Sequence, residues 1–340
     1  MSLFKVGLTR DLLTASGQPS FGSKPLEILA AAKDVLQWEY LTESLTEVTP
    51  DLAARYDAIY VNSPKVTAAS VARSDSRLQL IARHGVGYDS VDVPAMTRAG
   101  VLVTNTPIAV RRPVATMAIT YVLALAQKML IKDHLTRSGK WTQRSEHMGQ
   151  GLTGKTLGIV GAGGTGQELL KLVRGFDMRL LAADPYADAG KIESLGAKLV
   201  PLAMLLRESD FVVAMTLLND ETRHLIGAEA LAQMKPTAYL INVARGPVVD
   251  EPALIKALEA KRIAGAGLDV FEQEPIAPDN PLLKMENVIV SPHALCWTDE
   301  CFNAIATDGL TSLVDVARGK RPAYLVNPDA LKAQRWAQLR

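Results

Sequence analysis

Apolar residues recur along the chain in short runs separated by polar or turn-forming stretches. Phe4 to Leu8, Ala58 to Val61, Leu78 to Ala82 and Val101 to Thr104 have strand length, with helical stretches or turns between them. That alternation predicts a parallel α/β unit. A second series follows at Leu157–Val160, Met178–Ala183, Phe211–Met215, Ala238–Val243, Ile263–Leu268 and Val288–Val290. Six candidate strands are enough for a complete doubly wound sheet. Between the two series, Pro113 to about Lys132 has helical length without a glycine, and Pro113 suits a first turn. Gly139, Gly149, Gly151 and Gly154 punctuate the stretch beyond it, so residues 105–154 read as a linker helix and a loop-rich arm. Near the end, Asp299 to Leu313 reads as a helix, and Asn327-Pro328 closes a segment able to return to the first unit.

The second series opens on a particular pattern. The run Leu157 to Val160 breaks at Gly161, Gly163 and Gly166, spaced G-x-G-x-x-G; an amphipathic segment with Leu169, Leu170 and Val173 comes next, and the following apolar run ends in Asp184. Strand, turn, helix and strand in that order suit a dinucleotide: Gly161 for the tight turn, Gly163 for backbone approach to a pyrophosphate, Gly166 for helix-to-strand packing. Gly163, Gly164, Thr165 and Gly166 would present the helix start to the phosphates, where unpaired N–H groups favour an anion. Asp184 could accept the adenosine ribose hydroxyls and would repel a 2′-phosphate, and Pro185 follows where an NADP enzyme often places a cation. NAD is therefore the expected cofactor.

Composition narrows the choices. With 48% hydrophobic residues in 340, a large core is within reach, and 37 Lys+Arg against 36 Asp+Glu leave +1, no surplus for nucleic acid. The start of the chain lacks the pattern of a secretory signal. The longest apolar stretch, near Val114 to Leu130, is interrupted by Thr116, Thr120, Gln127 and Lys128, which argues against a membrane span. Two cysteines, Cys296 and Cys301, suggest a reducing, cytoplasmic setting; with His293 they match no zinc spacing, so no metal is expected.

Three polar residues fall just beyond strands of the second series: Arg245, Glu274 and His293. Hydride transfer to a carbonyl needs a proton donor for the oxygen, a task that suits His293. Glu274 would orient the imidazole and raise its pKa. Arg245 offers a planar, two-pronged donor for a carboxylate. Two other features stay open at this stage. The turn Arg83 to Asp89, with Gly85 and Gly87, either bares N–H groups to an anion or is a plain strand-to-helix turn. Arg111 and Arg112 either meet an acidic substrate or are solvated surface.

At these residues the sequence resembles the D-isomer-specific 2-hydroxyacid dehydrogenase family, glyoxylate and hydroxypyruvate reductases included. The likeness covers nearly the whole chain. Its carriers are Gly158 to Gly163, Asn242 to Asp250, and Gly267 to Pro275 with Ser291-Pro292-His293. The resemblance implies an α/β architecture: a Rossmann-type doubly wound parallel sheet domain at 105–293, with the linker helix and a dimerisation arm at 105–154, plus a smaller flavodoxin-like substrate domain built from 1–104 and 294–340. It implies Arg245 as the binder of a small 2-oxo acid, His293 as the acid/base and Glu274 as its partner. Asp269 would contact the nicotinamide side of NAD, Thr216 and Val243 would line it, and the amides of Gly85, Val86 and Gly87 would hold the substrate carboxylate. The resemblance also implies a cytoplasmic homodimer.

Some positions depart from the family pattern. Thr165 stands where Ile or Val is usual, Leu217 where Pro is, and Thr116 where Glu is. Ala294 to Thr298 follow the His where small residues are usual; Trp297 either reshapes the substrate pocket or packs in the core. The related formate dehydrogenases carry Gln at the place of Glu274, and phosphite dehydrogenases carry Lys at that of Val86. The expected activity is NAD-dependent interconversion of a small 2-oxo acid and its D-2-hydroxy acid. The alternative is an NADH-binding, corepressor-like regulator without significant turnover.

Overall fold

The computed structural model describes residues 3–339. Two compact units divide the chain, one within Met1–Val110 and Trp297–Arg340, the other Arg111–Cys296.

Among its described residues the first unit holds five parallel strands, β1 (Phe4–Leu8), β2 (Leu36–Tyr40), β3 (Ala58–Val61), β4 (Leu80–Arg83) and β5 (Leu102–Thr104), in the order β2-β1-β3-β4-β5. This is the flavodoxin-like order. Inner strands are buried on both faces, which is why they read as unbroken apolar runs. Along β3, Ala58 and Tyr60 enter one core with Leu310, Leu313 and Trp336, while Ile59 and Val61 enter the other with Leu52, Ala95 and Met96. The helix Asp299–Ala317 thus completes a core begun some 250 residues earlier; its Gly309 gives room to Tyr60, whose ring would lie 2.5 Å from an added side-chain carbon. Asn327 then clips the returning chain to β5: its Oδ1 accepts from Val103 N (2.8 Å) and its Nδ2 donates to Val101 O (2.9 Å).

The second unit holds seven parallel strands: β6 (Thr156–Val160), β7 (Arg179–Ala183), β8 (Ala197–Leu199), β9 (Phe211–Ala214), β10 (Tyr239–Asn242), β11 (Gly265–Leu268) and β12 (Val288–Val290). Their order is β8-β7-β6-β9-β10-β11-β12, the doubly wound Rossmann arrangement with one strand more. Cores lie on both faces; Val212 and Ala214 of β9 belong to one, Phe211 and Val213 to the other. The sequence pattern predicts six strands here and four in the first unit. The extra two, β8 and β2, are edge strands carrying Lys198 or Gln37 and Glu39, half open to solvent and so poorer in apolar residues.

Unit boundaries fall a few residues from the predicted 104/105 and 293/294. Asn105 and Thr106 stay with the first unit, because Asn105 Nδ2 donates to Val86 O (2.8 Å) and Thr106 N to Gly85 O (3.0 Å). Ala294 and Leu295 stay with the second, both donating their N–H to Asp269. The predicted single helix over 113–132 is two helices, Arg111–Ala126 and Met129–Arg137, bent by 58° about Lys128 at φ 49°. At the break the Ala126 carbonyl accepts from Gln150 N (2.7 Å), and a side chain on Gly149 would meet that oxygen at 2.5 Å. Among the described residues no single helix is long and apolar enough to cross a membrane; the bent pair passes by length and composition only. Its first helix buries Ala115, Ala118, Tyr121, Val122 and Leu125 in the unit's core.

Candidate active site

Strand register gathers the candidate residues on one edge. Ala183, Val160, Ala214, Asn242, Leu268 and Val290 form one row across β7, β6, β9, β10, β11 and β12. All strands run the same way, so each residue just beyond that row lies at the carboxyl edge, where ligands bind in such sheets. Gly161, Asp184, Thr216, Val243, Arg245, Asp269, Glu274 and His293 all follow it within six positions.

The dinucleotide cradle comes first. Gly161 adopts φ +94°, and a side chain there would collide with the backbone of Thr216 at 2.6 Å, so the turn admits only glycine. At Gly166 an added carbon would sit 2.4 Å from Gly161 O, while at Gly163 it would meet nothing within 4 Å. Gly163 is therefore the open position, at the N-cap of the helix Gly164–Leu172, and no side chain caps that helix. Among the described residues, the N–H groups of Gly163, Gly164, Thr165 and Gly166 donate to no protein group. Free donors at the positive end of a helix, with open space in front of them, fit a pyrophosphate. Asp184 Oδ2 accepts from Ala162 N (2.8 Å) and Oδ1 from Tyr186 N (2.9 Å). These bonds fix the carboxylate at the end of β7 and leave lone pairs for further donors such as ribose hydroxyls. Val243 is buried at the end of β10, and Thr216 lies beside the Gly161 turn. These residues fit NAD, which when bound supplies or accepts the hydride.

Arg245, Glu274 and His293 come from three different strand ends. His293 Nδ1 lies 2.8 Å from Glu274 Oε2, and the other carboxylate oxygen accepts from Phe271 N at 3.0 Å. Burial pushes the Glu274 carboxyl up. The bonds from His293 and Phe271, with the charges of His293 and Arg245, outweigh it and hold the carboxyl below its usual range. An ionised carboxylate only accepts, so Nδ1 carries the proton and Nε2 is left for a substrate. The His293 pKa is raised: the Glu274 bond raises it, burial opposes, the Glu274 and Asp269 charges add, and the Arg245 charge subtracts. Arg245 therefore stands close enough to act on both partners. Asn242, buried at the end of β10, shapes the Arg245 turn: its Nδ2 donates to Arg245 O (3.0 Å) and its Oδ1 accepts from Ala244 N (3.1 Å). Gly246 lets that turn pass against Phe271, where any side chain would overlap the backbone.

His293 sits at φ 54°, a conformation that costs a non-glycine residue about 1–3 kcal/mol unless its surroundings impose it. Asp269, 1% exposed, does so. Its Oδ1 accepts from Ala294 N and Leu295 N, both at 3.1 Å, and from the Ser291 hydroxyl. Because Ser291 gives its proton to Asp269, it accepts from Tyr121 (2.5 Å), on the helix Arg111–Ala126. The Tyr121 ring fits over β11 because Gly267 has no side chain. Asp269 thus braces the His293 loop in addition to any contact with a cofactor. Sequence reasoning missed Asn242, Ser291 and Tyr121 as supports, although the first two lie inside the motif blocks.

In the first unit, the turn after β4 carries the other predicted substrate contact. Gly85 has φ +120°; its carbonyl and that of Val86 are taken by Thr106 and Asn105. The N–H groups of Gly85, Val86 and Gly87 donate to no group among the described residues. A run of unpaired amides is what an anion-binding nest requires. Of the two basic residues expected before the linker helix, which the structure places in its first turn, Arg112 pairs with Glu168 (2.8 Å) and is surface. Trp297 is 58% exposed with its ring against Phe302 (5.0 Å between centroids), so it is no core residue. Leu217 is exposed, and Thr116 turns its hydroxyl back onto Arg112 O (2.9 Å).

Fold and site together define a nicotinamide-dependent oxidoreductase. Residues 119–294 match the family described as D-isomer specific 2-hydroxyacid dehydrogenase, NAD binding domain. A glyoxylate reductase of Korarchaeum cryptofilum is 43% identical over 78% of this chain and 81% of its own length. Another from Pyrococcus horikoshii is 36% identical over 97% and 98%. Among solved structures, a glyoxylate reductase from Paecilomyes thermophila superposes with a TM-score of 0.83 at 29% identity, covering 96% of this chain and 99% of that one. D-Lactate dehydrogenase from Aquifex aeolicus, solved with NAD and lactic acid, gives 0.79 at 27% identity over 92% and 96%. The chain belongs to the D-isomer specific 2-hydroxyacid dehydrogenase family. Its reaction class is NAD-dependent interconversion of 2-oxo and D-2-hydroxy acids.

Proposed function

We propose that the chain reduces a small 2-oxo acid, of the size of glyoxylate or hydroxypyruvate, with His293, Glu274 and Arg245 as its catalytic residues. The observation that carries this reading is the His293–Glu274 pair at 2.8 Å, with Arg245 acting on both. The glycine turn and Asp184 would hold NADH, which when bound would supply the hydride for the carbonyl carbon. His293 gives its Nε2 proton to the carbonyl oxygen, which would otherwise become an uncompensated alkoxide. Glu274 keeps the ring protonated until then and stabilises the orientation in which Nε2 faces the substrate. Arg245 binds the substrate carboxylate in a two-pronged fashion. Within the first unit, the amides of Gly85, Val86 and Gly87 make a nest suited to an anion. Asp184, the glycine turn, Thr216 and Val243 hold the cofactor, and Asp269 braces the His293 loop. In the reverse direction His293 takes the hydroxyl proton.

Support for a homodimer comes from the arm. Met129, Leu130, Trp141 and Met148 are exposed together, at 61%, 51%, 59% and 80%. An apolar groove runs beside them, lined by Leu125, Pro236, Tyr239 and Ile289. So much exposed apolar surface suits a second copy of the chain. A chain with two cysteines in 340 residues suits a reducing cytoplasm. The corepressor-like alternative draws no support from the relatives, which are named for their turnover.

The test is NADH oxidation measured against a panel of 2-oxo acids. Wild-type protein turns over at least one small member, and His293→Ala loses about 10²–10⁴-fold in kcat, the span of a general acid. Wild-type protein that binds NADH but reduces nothing in the panel would favour the regulatory reading. Unchanged turnover in His293→Ala would remove the assigned role.

A further inference from the structure

The basic pair that opens the linker helix divides in two, and only one half is explained by surface pairing. Arg112 turns to Glu168, which Lys171 also holds at 3.1 Å. Arg111, half-buried, has no hydrogen bond or ion pair with any described residue. Its guanidinium lies against the start of the glycine-turn helix instead: a side-chain carbon on Gly164 would stand 2.4 Å from Arg111 Nε, 2.6 Å from Cζ and 3.0 Å from the nearer terminal nitrogen. The absence of a side chain at Gly164 leaves the arginine room to lie against the helix start. A cation at this place is anomalous by itself. A helix start behaves as roughly half a positive charge, and a guanidinium beside it is repelled. Here the four N–H groups from Gly163 to Gly166 are also without acceptors among the described residues, and no side chain caps the helix. The guanidinium and the four N–H groups stand side by side at the helix start, and none of them has a hydrogen-bond partner among the described residues.

We propose that Arg111 is a direct ligand of the cofactor pyrophosphate in this chain, closing over it from the linker helix while the amides of Gly163 to Gly166 hold it from the turn. A pyrophosphate carries two negative charges. One can be met by the helix end, the other by the guanidinium, whose flat fork suits two oxygens at once. Arg111 also opens the helix that carries Tyr121, the residue behind Ser291 and Asp269. The element that grips the phosphates and the element that braces His293 are therefore one and the same.

The proposal rests on the NAD-dependent reading, and binding alone tests it. NADH is titrated by its fluorescence onto wild-type, Arg111→Ala, Arg111→Lys and Arg112→Ala proteins at low and high salt. Arg111→Ala should raise Kd about ten- to hundredfold, the range for one charge-assisted bond to a phosphate, and should flatten the salt dependence. Arg111→Lys, which keeps the charge and loses the fork, should fall between. Arg112→Ala should stay within about twofold of wild type, because its charge serves Glu168. Melting followed by circular dichroism confirms folding, and Arg111→Lys carries the test if the alanine variant does not fold. Arg111→Ala binding NADH as tightly as wild type, or losing no more than Arg112→Ala, overturns the proposal. Wild-type protein that binds no NADH counts instead against the NAD-dependent reading itself.

Discussion

Acid should loosen the first unit through one side chain, His84. It lies 4% exposed at the end of β4, its Nδ1 paired with the Tyr60 hydroxyl at 2.5 Å. Its Nε2 has no partner among the described residues, and the rings of Phe21, Tyr60 and Phe302 surround it. Burial, helped by the charge of Arg83, pushes its pKa from 6.5 down to about 3. In the unfolded chain the ring titrates normally, so between pH 6.5 and 3 the unfolded state binds a proton that the folded state refuses. Stability is intact above 6.5 and is lost as the pH falls toward the folded value. Each pH unit in that window costs about 1.4 kcal/mol, or about 2 kcal/mol by pH 5. His293 has the opposite sign: its raised pKa adds stability on acidification, present in full below its unfolded value and lost as pH rises through the folded one. A comparison between wild type and His84→Asn cancels it. Urea unfolding at pH 7, 6 and 5, followed by tryptophan fluorescence, suits the purpose. Trp38, Trp297 and the fully buried Trp336 report the first unit, and only Trp141 lies in the second. Wild type should lose about 2 kcal/mol more than His84→Asn between pH 7 and 5. Parallel losses in the two proteins would refute the argument.

Three further outcomes are expected from the geometry. Glu274→Gln keeps an accepting oxygen but removes the charge that helps raise the His293 pKa, so the alkaline limb of the reduction rate should move to lower pH with a fall in kcat; a limb that stays put counts against the pair. Wild-type protein should bind NADH at least as tightly as NADPH, and Asp184→Ala should narrow the difference while weakening NADH, as read by titration; a clear NADPH preference in the wild type contradicts the role of Asp184. Gly166→Ala places a carbon 2.4 Å from Gly161 O, so the backbone must shift. It should cost about 1–3 kcal/mol in urea unfolding and raise the NADH Kd, and neutrality in both would show that the turn is looser than drawn.

How much of this can be read from the chain depends on how local each cause is. The glycine turn is legible because its requirements fall within six residues: Gly161 takes a positive φ, Gly166 abuts Gly161 O, and Gly163 stays open. The inner strands are legible because burial on both faces leaves an unbroken apolar run, while β2 and β8, at the edges, lack one. The bend at Lys128 is hidden, since Gln127 and Lys128 are ordinary helix formers and the cause lies at Gly149 and Gln150. Tyr121 is equally hidden. On a mostly apolar helix it reads as core, and only the fold brings its hydroxyl to Ser291, 170 positions away. Arg111 and Arg112 look alike in sequence, and Glu168 alone separates them.

The shared core of β3 with the helix Asp299–Ala317 bears on how the protein is made. On a ribosome, residues 1–110 emerge first yet cannot bury Tyr60 and Leu80 properly until Leu310, Leu313 and Trp336 have been synthesised. The Rossmann unit is contiguous and can fold as soon as residue 296 clears the exit tunnel, so the last-begun half matures first. The opening segment must wait with apolar strands uncovered until the last helix arrives. Loss of the final forty or so residues would leave that segment permanently unfinished.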